Sequence, residues 1–171
     1  FIMDLYNREI VGYSESDNLR TENTTMPALY GVIKERGKTN LKGAIMHSDG
    51  GGQYYCNEFK ALTKELGMIN SMTEEKVYEN AHAERLNGII KNNYLYPYGP
   101  TNVTSLKKLL DKAVFMYNTG KPHKALGKLT PSMFRSTIDN ENNSPSNLPL
   151  STVNHNNNKR GKLSIKKVNV I

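Results

Sequence analysis

The apolar positions fall into short runs near the N-terminus and into helical stripes further on, which predicts a mixed α/β domain. Phe1 to Asp4 and Glu9 to Ser14 alternate or cluster apolar residues on either side of Leu5-Tyr6-Asn7-Arg8, the pattern of two antiparallel strands joined by a turn. Thr25 near a cap, Pro27 in the first turn, and Leu29, Val32 and Ile33 at helical spacing predict a helix that stops at Gly37. Ala44-Ile45-Met46 reads as a buried strand, ended by Gly50, Gly51 and Gly52. Asn57 is placed to cap a helix carrying Phe59, Leu62 and Leu66 on one side, with Gly67 as its left-handed stop. Met68 to Met72 reads as another short strand.

A helical pattern then opens at Asn80, a residue type whose side chain accepts from an unpaired first-turn N–H. At about 100° per residue, Asn87, Gly88 and Lys91 share a sector with Glu84, while Ala83, Leu86, Ile90 and Tyr94 form the opposite, buried one. Leu106, Leu109, Leu110, Ala113, Val114 and Tyr117 make a long amphipathic stripe, with Lys107, Lys108 and Lys112 on the other side. Gly120 to Phe134, rich in Gly, Pro and polar residues, is expected to wrap the body as an extended connector anchored by Leu126, Leu129 and Phe134. From Ser136 the chain turns Asn-rich with a basic end containing Lys159, Arg160, Lys162, Lys166 and Lys167, too polar to offset the entropy of ordering. The expected organisation is one core domain over 1–135 and a disordered tail over 136–171.

Composition narrows the partners. The 171 residues include 23 Lys and Arg against 16 Asp and Glu, a net charge of +7, so a polyanion such as DNA is the leading partner. Cys56 is the single cysteine, which excludes an intrachain disulfide and a cysteine-based zinc cluster and fits a reducing cytoplasm. No apolar run approaches the roughly 20 residues that span a bilayer. Phe1 lies within a strand pattern and lacks an initiator Met, so the chain is expected to be a fragment of something longer.

Two carboxylates carry the candidate chemistry. Asp49, in His47-Ser48-Asp49-Gly50, sits at the C-terminal end of a predicted strand, and Glu84, in Asn80-Ala81-His82-Ala83-Glu84-Arg85, on a predicted helix. Acids so placed on rigid elements read as ligands for Mg²⁺ or Mn²⁺, hard ions that favour oxygen donors. The alternative for Asp49 is a turn-closing residue, and for Glu84 a helical acid paired with Lys91 or Arg85. Lys91, two turns beyond Glu84 and roughly 10 Å along the axis, could hold a phosphate beside such a site or simply be solvated. Asn87, Arg85 and His47 are further candidates for DNA contact, His47 because it shares a strand face with Asp49. Asp4 ends an apolar run but reads as a turn Asp accepting local backbone bonds.

Asp4 to Gly12, the His-Ser-Asp-Gly segment, the Asn-Ala-His-Ala-Glu-Arg segment, and Tyr117-Asn118, Lys121-Pro122-His123, Leu126-Gly127 and Thr130-Pro131 resemble, in order, bacterial insertion-sequence transposases of the OrfB kind with a retroviral-integrase-type core. The likeness runs from about Phe1 to Phe134. It implies a ribonuclease-H-like mixed β-sheet flanked by helices and a triad of two Asp and one Glu holding divalent metal. It also implies cleavage and joining of double-stranded DNA at element ends and target, by a homo-oligomer associated with the bacterial nucleoid. The family's first Asp lies upstream of the hairpin containing Asp4, so the triad is expected to lack that member here and the fragment to be inactive. A non-catalytic DNA-binding remnant and a hydrolytic nuclease of the same fold are the alternatives.

Overall fold

The computed structural model describes residues 1–18, 20–72, 81–143 and 167–170. Its centre is a five-stranded sheet in the order β2-β1-β5-β3-β4. Strands β1 (Ile2–Asp4) and β2 (Ile10–Gly12) form the expected hairpin, antiparallel, with a register irregularity between Ile2 and Met3. Strand β3 (Ile45–Ser48) runs parallel to β4 (Ile69–Met72), so the chain crosses between them through a helix, as parallel pairing requires.

The alternation of side chains along each strand builds two cores. Ile2, Val11 and Met46 point to one face, where they meet Ala28, Leu29 and Val32 of α1 (Thr25–Arg36) and Phe59 of α2 (Asn57–Glu65). Met3 and Ile10 point to the other, against Leu86 and Ile90 of α3 (Ala81–Ile90) and Leu110, Ala113, Val114 and Tyr117 of α4 (Val103–Gly120). The molecule is thus a sheet between two helical layers. Gly12 permits the closest approach: a Cβ there would sit 2.2 Å from the carbonyl oxygen of Ala28, so β2 and α1 touch backbone to backbone.

Local signals set several boundaries as expected. Gly37 ends α1 at φ 77° and Gly67 follows α2 at φ 67°, both left-handed conformations that glycine adopts without steric cost. The stripe on α4 buries from Leu110 to Tyr117, and Asn102 closes the helix start in a capping box with Ser105. Asn57 is not a cap: Cys56 holds that place, and its Sγ accepts from the Phe59 N–H. Asn80 lies outside the described residues.

Two elements lie where no regular structure was expected. The connector ends at Thr130, whose hydroxyl accepts from the Met133 N–H, and α5 (Pro131–Asn143) carries the chain past the boundary expected at residue 135. Strand β5 (Lys167–Val170) enters the sheet between β1 and β3, antiparallel to the first and parallel to the second. Residues 144–166 and 171 of the expected tail lie outside the described residues.

Candidate active site

Asp49 follows β3 directly and is exposed. Its Oδ1 accepts from the Gly51 N–H at 3.0 Å, a turn made where a Cβ on Gly51 would crowd the same carboxylate at 2.9 Å. The acid lines a cavity of about 290 Å³ together with Phe1, Ser14, Thr25, Gln53 and Tyr54. Burial, and next the charge of Asp49, push the Tyr54 hydroxyl up to about 12, so it stays a protonated donor at neutral pH.

Glu84 projects from the exposed sector of α3, opposite the buried Ala83, Leu86 and Ile90. Among the described residues it makes no hydrogen bond or ion pair, and it is not among the residues lining the Asp49 cavity. Asn87 is half-buried on the same helix. Lys91 is exposed and opens a π-helical turn, Lys91–Leu95, so regular α-helical spacing from Glu84 holds only to Ile90. Among the described residues no three His, Cys, Asp or Glu side chains gather as a metal site. What Asp49 and Glu84 offer is two exposed carboxylates of the hard-donor type that suits Mg²⁺.

His47 and Asp4 are placed otherwise. His47 is buried on β3, and its Nδ1 lies 3.0 Å from the Ser71 hydroxyl of β4. The ring braces two strands, which does not support the expectation that it reaches DNA. Asp4 is buried, its Oδ1 accepts from the Tyr6 N–H, and Arg36 lies 3.6 Å from its Oδ2. By register through β5 it stands level with Met46, two strands away from β3 and three residues short of Asp49. That is roughly 10 Å across and 10 Å along the sheet, too far to share one ion, and the turn role expected for Asp4 matches its bonds.

Arg85 does join a group, though not one the sequence suggested. It lines a cavity of about 470 Å³ with Arg8, Tyr117, Lys121, His123 and Lys124. Burial first, then Lys121, Arg8 and Arg85, hold the His123 imidazole below its usual range. Burial pushes the Tyr117 hydroxyl up to about 12. These residues come from motif segments far apart in sequence, and no spacing rule joins them.

A sheet with a leading antiparallel hairpin, a parallel pair and helices on both faces defines the ribonuclease-H-like class to which integrase cores belong. The catalytic core domain of HTLV-2 integrase, solved in complex with magnesium, superimposes with a TM-score of 0.60 at 21% identity, covering 78% of this chain and 81% of that one. Residues 69–131 match the integrase core domain family. The insertion element IS600 31 kDa protein of Shigella sonnei is 30% identical over 136 residues, 78% of this chain and 49% of its own length. The putative transposase InsK for insertion element IS150 of Escherichia coli K12 is 27% identical over 137 residues, 78% of this chain and 47% of its own. These matches support a likeness to bacterial insertion-sequence transposases with an integrase-like core. The chain spans about half the length of the curated relatives it matches.

Proposed function

We propose that this chain is core sequence of a DNA transposase, with Asp49 and Glu84 as carboxylate ligands of a divalent metal, Mg²⁺ or Mn²⁺. The supporting observation is that the two acids at the motif positions are exposed, Asp49 directly after β3 and Glu84 on α3, and that Glu84 has no protein partner among the described residues. Bound metal would supply charge stabilisation at the attacking and leaving oxygens of a phosphodiester. The protein's part is to fix the two carboxylates: β3 sets Asp49 through its pairing with β4, and the buried side of α3 sets Glu84. Arg85, Asn87 and Lys91 lie on or next to that same helix, where they can meet the phosphates of element ends and target DNA. The working species is a homo-oligomer that holds two DNA ends together, and it acts on DNA in the cytoplasm and nucleoid. Among the described residues no helix is long and apolar enough to cross a membrane.

The test uses the product of the whole reading frame, labelled duplex ends, a target plasmid and Mg²⁺ or Mn²⁺. Joined product should form and fall to background with Asp49→Asn or Glu84→Gln. Joining that survives Glu84→Gln would end the carboxylate assignment, and cutting without joining would point to a nuclease.

A further inference from the structure

Four cationic side chains and two imidazoles, His82 and His123, converge on the cavity between the β1–β2 turn, α3 and the segment after α4, and among the described residues no carboxylate lines it. Arg8 comes from the turn, Arg85 from α3, and Lys121, His123 and Lys124 from the stretch beyond Gly120. Like charges crowded around one space repel, and side chains this long would ordinarily spread into solvent. Arg8 and the loop carrying His123 are nonetheless fixed here. Arg8 sits at φ 62°, a left-handed conformation costly for a residue with a Cβ, and its Nη1 lies 3.1 Å and 3.3 Å from the two ring nitrogens of His82. The His123 carbonyl accepts from both Leu126 and Lys128, and its N–H donates to Leu129, so the loop that presents its ring is fixed by the main chain.

The cavity also contains polar capacity that the protein does not use. The Nε2 of His123 is buried and has no hydrogen-bond partner among the described residues. Among the described residues the Tyr117 hydroxyl has only a weak sulfur acceptor, Met3 Sδ at 3.9 Å, which leaves its donor available to an oxygen. Unspent donors, positive charge with no carboxylate among the described lining residues and a left-handed arginine together suit the binding of an anion.

We propose that this cavity holds a backbone phosphate of a DNA strand. Arg8, Arg85 and Lys121 neutralise it, while His123 and Tyr117 donate to its oxygens. Phosphate is the anion class because it presents several acceptor oxygens to donors arriving from three directions, as a single carboxylate does not. The choice of DNA as its bearer rests on the proposed function. Arg85 is the immediate neighbour of Glu84 on α3, so a strand running to Glu84 passes the mouth of the cavity.

The experiment titrates the whole chain with inorganic phosphate while following the His ring resonances by NMR, and separately measures duplex DNA affinity against salt. Phosphate should shift the His123 ring signals saturably. Lys121→Gln with Lys124→Gln should weaken that response at least tenfold, and Arg85→Gln should do so independently, with unfolding midpoints checked to confirm intact folds. The salt slope of DNA binding should fall by about 1 for each phosphate that a variant no longer neutralises. Absence of a His123 response overturns the proposal. So does a phosphate response with an unchanged DNA salt slope, which would mark a site for a free anion. If the phosphate response and the slope change both appear but strand joining does not depend on Glu84, the transposase mechanism fails and the phosphate site stands.

Discussion

Arg36 offers the sharpest test of how the hairpin that carries Arg8 is held. At the end of α1 its guanidinium, 9% exposed, reaches under the β1–β2 turn to Glu9 and, at 3.6 Å, to Asp4, whose side chains are 8% and 3% exposed. Replacing it with Met keeps much of the stem packing and removes the charge. Glu9 retains Asn7, which donates to its Oε2, and Arg135 at 3.3 Å from its Oε1, whereas among the described residues Asp4 is left with the Tyr6 N–H. Breaking a buried ion pair from one side costs about 3–5 kcal/mol. Because Arg135 still serves Glu9, the expected loss is at the lower end, about 3 kcal/mol, a large share of a typical domain's stability. With a urea m-value of roughly 1–3 kcal/mol per molar, the midpoint should fall by about 1–3 M.

The sign of the pH dependence follows from Asp4. Its pKa is already raised above 3.8, by burial first, with Arg36 among the groups that oppose the rise. The folded state therefore binds the Asp4 proton more tightly than the unfolded chain does. Its contribution is full below about 3.8 and is lost as pH rises through the higher folded value. Removing Arg36 raises that folded value further, so the Arg36→Met deficit should shrink between pH 7 and pH 5. Urea unfolding followed by circular dichroism at both pH values measures it. A deficit under about 1 kcal/mol at pH 7, against the expected cost, or one that grows on acidification, would refute the account.

Three further substitutions probe the frame around the site. Gly12→Ala should destabilise by about 1–3 kcal/mol or more, because the new methyl meets the Ala28 carbonyl at 2.2 Å, while Gly31→Ala, meeting Gly12 Cα at 3.4 Å, should be neutral or stabilising through helix propensity. Equal unfolding midpoints for the two would contradict the close strand–helix contact. Asn118→Ala should lower stability by about 1–3 kcal/mol, since its amide both accepts from the Ile10 N–H and donates to the Ile10 carbonyl, at 3.0 Å each, closing the edge strand β2; hydrogen exchange at Ile10 should speed up, and unchanged exchange there would remove that role. Cys56→Ser should stabilise by about 0.5–1 kcal/mol, a hydroxyl being the better acceptor for the Phe59 N–H, and a lowered thermal midpoint would show that the thiol's packing matters more than its cap.

Much of what is encoded within a turn or two of backbone was legible in the chain of residues. Gly37 and Gly67 stop α1 and α2 because left-handed conformations are open to glycine, the Leu110 to Tyr117 stripe marks the buried side of α4, and the glycines after Asp49 leave that acid at a strand end. Thr130-Pro131 also carried a local helix-start signal, although the Gly- and Pro-rich stretch around it reads as a connector. Meetings across long separations were settled only in three dimensions. Lys167–Val170 has little to distinguish it from the polar residues before it, and becomes a central strand because β1 and β3 both offer it backbone partners. His47 alternates with its neighbours as a candidate site residue would, yet Ser71 on the adjacent strand claims its ring. Arg85 is a candidate for DNA contact and Lys121 and His123 belong to a motif segment, yet nothing in the sequence joins them to Arg8, and the folded chain brings all four to one cavity. Periodicity records which side of an element is buried; which partner buries it depends on chain closures that leave no local trace.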